Sequence, residues 1–208
     1  ALQDSGAYPA MGTNVTTNLR NSGTGVYDIQ TASARGTSVV TNTTPTVAFR
    51  GAGRPEASTS VERAVDRFAT AIGKDPAEVR RQNLVAADAF PYTNALGTTY
   101  DSGDYEAALD KVLEAVGYAA LRAEQAARRA AGDPILLGIG VSCTVEITGG
   151  GEGETSQGSL GPDGRFSFIV GTSPHGQSHE HTFAALAAAE LGVGPDRIDI
   201  LHSDTDLS

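Results

Sequence analysis

Apolar residues recur at helical spacing through the middle of the chain and gather into short runs in its last third. After Pro55, which suits the first turn of a helix, Val61, Val65, Phe68 and Ile72 fall on one face until Gly73. This spacing predicts a helix that ends at the glycine. Asp75-Pro76-Ala77-Glu78 repeats the start signal, an N-cap aspartate followed by proline, and opens a short helix through Val79 and Leu84. Tyr105, Ala108, Leu109, Val112, Leu113 and Val116 trace a further stripe begun near Asp104, and a more charged helix follows to about Ala131. Gly132-Asp133-Pro134 then breaks the pattern, so residues 1–133 and 134–208 are expected to belong to two domains.

The flanking regions read differently. Residues 1 to about 35 are rich in Gly, Ser, Thr and Asn and are expected to be irregular, or short strands held by other parts of a larger protein. Thr37 to Thr44 has the β-branched content of a strand, which Pro45 ends. Beyond the boundary, an apolar run from Ile135 to Ile147 and a second, Arg165 to Val170, predict two strands joined by a Gly/Glu-rich turn at 149–158. A glycine-containing loop at 171–178 leads into a helix with Phe183, Leu186, Ala187 and Leu191 on one face, stopped by Gly192. Ile198 to Leu201 closes as a strand. The class is α+β: a helical segment followed by a β-β-α-β unit.

Charge narrows the partners. With 25 acids against 15 bases, the chain carries a formal charge of −10, which opposes a phosphate backbone and excludes nucleic acid as the expected partner. Its bases are arginines except Lys74 and Lys111, which favours fixed bidentate contacts to oxyanions. The single cysteine, Cys143, lies in what reads as a buried strand and needs no oxidising compartment. No run approaches the roughly 18 apolar residues of a membrane span, and no signal peptide is visible, so a cytoplasmic protein without a transmembrane segment is expected. The chain begins at Ala1 without Met and stops at Ser208 just after the last strand, which reads as an interior piece of a larger protein.

Two segments carry candidate chemistry. In Arg50-Gly51-Ala52-Gly53-Arg54, glycines let backbone approach a ligand while two guanidiniums stay near it; equally, a loop needs glycines for its turns, with Arg54 paired to a surface acid. In the second, Gly171, Pro174 and Gly176 shape a turn before a helix N-terminus, where free N–H groups and the helix dipole favour an anion. Gln177, Ser178 and Thr182 add neutral donors. The glycine pattern is neither a Walker loop nor a GxGxxG fingerprint. His175, His179, Glu180 and His181 also crowd metal-binding side chains together, as a zinc hydrolase would, but the HExxH motif needs its two histidines on a formed helix, and Pro174 and Gly176 flank His175 and place it in the loop before the helix. Solvated or capping histidines are the remaining reading. The acids of Gly151-Glu152-Gly153-Glu154 and Asp204-Thr205-Asp206 read as solvated loops, and no GxSxG elbow is present.

Thr43-Thr44-Pro45-Thr46-Val47-Ala48-Phe49-Arg50-Gly51-Ala52-Gly53-Arg54-Pro55-Glu56-Ala57, then Pro76-Ala77-Glu78-Val79-Arg80-Arg81-Gln82-Asn83-Leu84 and Phe90-Pro91-Tyr92, resembles the large subunit of bacterial molybdenum hydroxylases. These are relatives of xanthine dehydrogenase, aldehyde oxidase and aerobic carbon monoxide dehydrogenase. Tyr100 to Tyr105, Gly171 to Glu180 and His202 to Asp206 match the same family in order.

The resemblance implies an interior fragment of a molybdopterin-binding large subunit, ending one such domain (1–133) and starting a second (134–208). It implies molybdopterin cytosine dinucleotide with Mo as cofactor and hydroxylation of a carbon centre with water as oxygen source. Gly176 and Gln177 would touch the pterin, while Ser178, His179, Glu180 and Thr182 would lie by the pyrophosphate. Arg50 would reach the molybdenum and substrate pocket as the catalytic and cofactor-contacting arginine, with Gly51 and Ala52 lining that pocket. No protein side chain would ligate the metal. Partners would be the remainder of the large subunit, an FAD-binding medium subunit and a small subunit with [2Fe-2S] clusters, as a dimer of heterotrimers. The chain departs from the family at three points. The branch that oxidises carbon monoxide carries a cysteine where Gly51 stands, His181 replaces a common threonine, and the segment with the general-base glutamate lies outside this chain. A phosphorylated-ligand binding module without turnover is the alternative class.

Overall fold

In a computed structural model of the chain, which describes residues 1–9, 12–146 and 153–206, Leu2–Asp4 (β1) pairs in parallel with Thr37–Val39 (β2). The crossover between them carries a helix, Thr13–Asn21 (α1). The first segment is therefore structured by its own chain. Its Thr- and Asn-rich sequence has low helix propensity, and α1 buries no residue fully, so no apolar stripe announced it. Tertiary contact stabilises it: Thr16 Oγ1 is 3.2 Å from Ser38 Oγ, and Asn18 Nδ2 donates to the Ala52 carbonyl at 3.0 Å.

The helical middle follows the sequence pattern closely. Helix α2 runs Arg54–Ala71 with proline in its first turn, and Gly73 beyond it has φ +68°. In α3 (Pro76–Arg81) the Asp75 carboxylate accepts from the N–H of Ala77 at 2.8 Å. A two-stranded antiparallel ladder, Tyr92–Thr93 (β3) and Thr99–Tyr100 (β4), precedes α4 (Tyr105–Ala115), which Asp104 caps at 3.0 Å through the N–H of Ala107. Helix α5 is Tyr118–Ala130, and Gly132 at φ +66° ends the helical pattern.

The predicted apolar faces are only partly the buried ones. On α2 the buried residues are Ala57, Glu62 and Ala69, whereas Phe68 is 56% and Ile72 47% exposed. The core of this first unit, residues 1–148, is built from Val26, Tyr27, Ala57, Ala69, Ala77, Val79, Val85, Tyr100 and Leu109.

The strand expected from Ile135 is absent among the described residues 135–146, and Ile147 lies outside them. Among the described residues no strand pairs with this segment. Its backbone is instead met by side chains: Gln125 Nε2 donates to the Leu137 carbonyl at 2.9 Å, and the Cys143 N–H donates to Glu62 Oε2 at 3.1 Å. Cys143 is thus half-buried outside any strand, and burial raises its thiol pKa.

The second unit, residues 149–208, keeps the β-β-α-β order with its first strand shifted. Strand β5 (Ser156–Leu160) falls where the connecting turn was expected, and residues 149–152 of that turn lie outside the described residues. It pairs antiparallel with β6 (Phe166–Val170), which pairs in parallel with β7 (Ile198–Leu201) after α6 (His179–Leu191) crosses over. Ala184, Ala188 and Ile198 form the buried centre, with Phe166, Phe168, Ala187, Val193 and Ile200 packed on it. Leu186, expected on the buried face of α6, is 61% exposed beside an apolar cleft of about 350 Å³.

Candidate functional site

In the second unit, β6 delivers the chain into the loop 171–178, and α6 takes it away. Gly176 has φ +107°, and nothing lies within 4 Å of where its Cβ would be, so the requirement for glycine is conformational rather than steric. The N-cap of α6 is Ser178, at φ +55° and ψ +52°, left-handed rather than the extended geometry of a capping serine. Its hydroxyl makes no cap hydrogen bond, and the first helical bond is Thr182 N–H to the Ser178 carbonyl at 3.0 Å. The first turn therefore presents N–H groups that Ser178 does not cap, at the positive end of the helix dipole. Gln177 accepts the His175 N–H with Oε1, which leaves its Nε2 donor without a partner among the described residues.

The histidines diverge. His175 is exposed, with Nδ1 3.1 Å from the Ser173 carbonyl, and His181 is exposed on α6. His179 stacks on Phe183 at 4.7 Å between ring centres, with its Nδ1 buried and unpartnered. His202, on the chain leaving β7, sits 2.7 Å from Glu180 Oε1 through Nε2. Among the described residues no three His, Cys, Asp or Glu side chains converge to hold a metal. The zinc geometry suggested by their spacing is not formed.

Glu180 and Asp199 both titrate below the usual carboxylate range. The Glu180 N–H and His202 lower the first; the second pairs with Arg165, whose Nε and Nη2 reach its two oxygens at 2.9 and 2.6 Å. A carboxyl whose pKa is lowered by folding contributes stability above its unfolded value and loses it as pH falls through the folded one. Acidification below roughly pH 4 should therefore loosen the β6–β7 pair. Asp199→Asn should flatten the fall of the melting midpoint between about pH 5 and 3; identical slopes for the two proteins would refute the assignment.

The first unit holds the other sequence candidate, around Arg50. Gly53 precedes α2 at φ +101°, and a Cβ there would fall on the Val15 carbonyl of α1. Gly51, at φ +89°, would bring a Cβ to 2.5 Å from the Pro55 ring. Both glycines thus serve close packing within the chain. Arg54 pairs with Glu146 at 3.2 Å, as the surface-acid reading anticipated in kind. Arg50 is exposed and has no hydrogen-bond or ion-pair partner among the described residues, and Ala52 stands at φ +44° between the two glycines.

Sequence reading missed a buried polar cluster in this unit. Glu62 accepts from Tyr27 Oη at 2.6 Å, Arg80 Nε at 2.8 Å and the Cys143 N–H at 3.1 Å, with Arg80 wholly buried. Burial opposes the Arg80 charge, but Glu62 outweighs it and holds the guanidinium pKa above its usual value. The available signal was Glu62 seven residues before Ala69, two turns along one helix face.

Residues 1–84 match a family model described as a molybdopterin cofactor-binding domain, and residues 111–208 match a second model of the same description. The chain is 38% identical to the carbon monoxide dehydrogenase large chain of Hydrogenophaga pseudoflava, over 98% of this chain and 27% of that one. It is 32% identical to the nicotine 6-hydroxylase large subunit of Paenarthrobacter nicotinovorans, over 96% and 26%. The solved quinoline 2-oxidoreductase of Pseudomonas putida 86 superposes with a TM-score of 0.84 at 32% identity, covering 97% of this chain and 27% of that one. The chain thus spans about a quarter of the length of these relatives. Its ordered motifs, both domain matches and its fold agree: the chain belongs to the molybdopterin cofactor-binding region of the molybdenum hydroxylase large subunits.

Proposed function

We propose that the intact protein is the molybdenum cofactor subunit of an oxidoreductase that hydroxylates a carbon centre, in an aldehyde, an N-heterocycle or a similar compound, with water as the oxygen source. The observation that carries this reading is the α6 N-terminus, left uncapped by Ser178 directly after Gly176 and the unpaired amide donor of Gln177. Backbone and neutral donors at the positive end of a helix fit a pyrophosphate, and no lysine stands in the loop to compete for it.

The cofactor assigned to this site is molybdopterin cytosine dinucleotide. Gly176 and Gln177 would meet the pterin; Ser178, His179 and Thr182 would lie by the pyrophosphate, with Glu180 beside them. When bound, the molybdenum centre supplies the oxidation of the substrate carbon. Arg50, unpaired among the described residues and exposed, would be the guanidinium that orients cofactor or substrate, and Gly51 and Ala52 beside it would line the substrate pocket. Electrons would leave through [2Fe-2S] and FAD partner subunits, in a cytoplasmic dimer of heterotrimers.

Gly51 bears on the substrate. A cysteine at φ +89° would be strained, and its Cβ would meet the Pro55 ring, so this loop is not built for the side chain of the branch that oxidises carbon monoxide. That favours carbon hydroxylation over oxidation of the gas.

The test is to isolate the intact large subunit and measure molybdenum and the cytosine nucleotide released by acid. Both are expected near one per subunit. Gln177→Ala should weaken cofactor retention about tenfold, the scale of losing one orienting contact. A subunit with neither molybdenum nor pterin would overturn the enzyme reading in favour of a binding module without turnover.

A further inference from the structure

A chain of contacts fastens the 173–180 loop at both ends to the end of β7. His202 Nε2 lies 2.7 Å from Glu180 Oε1, its Nδ1 2.8 Å from Ser203 Oγ, and Ser203 Oγ 2.8 Å from Ser173 Oγ. The His202 side chain is only 18% exposed. We propose that His202 is a positioning residue that latches this loop open for the cofactor, a role that rests on the site reading above.

Three observations carry the latch. First, Glu180 is ill suited to bind a phosphate itself, because an ionised carboxylate only accepts hydrogen bonds and repels a second anion. Its partner is His202, so it acts on the site through that residue. Second, the anchor is rigid: β7 stays in register with β6 to Leu201, the residue immediately before His202. Third, Ser203 holds φ +60°, a left-handed conformation that a non-glycine residue keeps only where its surroundings over-determine it. That conformation turns the Ser203 hydroxyl onto Ser173.

The consequence falls on Ser178, between the two tied ends. An unconstrained serine at an N-cap adopts extended backbone and turns its hydroxyl onto the first-turn N–H groups. Here Ser178 is left-handed and its hydroxyl makes no cap bond. With Ser173 and Glu180 both tied, the loop cannot relax into the form in which Ser178 caps the helix, and the first-turn N–H groups other than that of Glu180, which faces its own carboxylate, remain available to an anion. Without His202 the helix would cap itself and the site would close.

The experiment compares wild type, His202→Ala, His202→Gln and His202→Asn in the intact large subunit, reading two quantities. One is the rate at which molybdenum and cytosine nucleotide are lost on dilution; the other is protease cleavage within residues 173–178 in cofactor-free subunit. His202→Ala should lose cofactor about tenfold faster and, as cofactor-free subunit, be cleaved faster. Glutamine places an amide donor near the position of Nε2, so His202→Gln should restore both; asparagine, too short to reach Glu180, should not. Cofactor retention and cleavage in His202→Ala equal to wild type would overturn the latch, as would a glutamine variant no better than alanine. If His202→Ala does not fold, the contrast of glutamine with asparagine decides in the same way. A wild type with no molybdenum or pterin would instead sink the site reading, while the cleavage comparison still decides the latch.

Discussion

Glu62→Ala is expected to destabilise the first unit by about 3–5 kcal/mol, the cost of leaving a buried charge without its partner. Arg80 is fully buried, and Glu62 gives it two contacts at 2.8 Å. Asp66 also reaches Arg80 Nη1, at 3.0 Å, but is one-third exposed and leaves Nε unpaired. The substitution strands Tyr27 Oη and the Cys143 N–H as well, so α2, α3 and the segment around 143 should loosen together. Hydrogen exchange of α3 amides in the intact subunit reads this directly. The double variant Glu62→Leu with Arg80→Met should recover much of the loss, because removing both charges abolishes the unpaired one. Protection of α3 unchanged in Glu62→Ala would refute the account.

Gly53→Ala is expected to cost about 3 kcal/mol, combining strain at a left-handed position with overpacking. At φ +101° the added methyl falls on the Val15 carbonyl, part of a helix backbone that cannot rotate aside. Helix α1 must then withdraw, which strains the bond from Asn18 to the Ala52 carbonyl and shifts the loop bearing Arg50. Gly117→Ala is the control: φ is +65° there, but nothing lies within 4 Å of the new methyl, so only the conformational cost of about 1 kcal/mol remains. Equal losses for the two variants, measured by exchange of α1 amides against those of α5, would show that the contact with α1 is immaterial.

These effects mark where sequence reading stopped. Helix starts were legible because they are local: Asp75 and Asp104 lie one residue before the helices they cap, and the proline after Asp75 reinforces the signal. The order β-β-α-β was legible too, although its first strand lies at Ser156–Leu160, in residues as polar as a turn. Strand β5 exists because β6 offers it five residues of ladder; the more apolar segment 135–146 has no such neighbour among the described residues and forms none. Strand formation is a property of the pair, and one chain segment does not contain its partner.

The site divides along the same line. The types and spacing of Gly176, Gln177 and Ser178 before a helix pointed to the anion site proposed above, and the ordered motifs marked the family. Spacing along the chain could not show that His175, His179 and His181 turn apart, that His202 reaches back to Glu180, or that Glu62 lies inside while Phe68 lies out. By itself the sequence determined the helices from α2 onward, the Asp75 and Asp104 caps, the α+β class and the family, all of which depend on residues near one another or on motifs in order. Tertiary structure alone decided which helix faces are buried, which strands form and which histidine holds the loop, because each depends on residues tens of positions apart meeting in space.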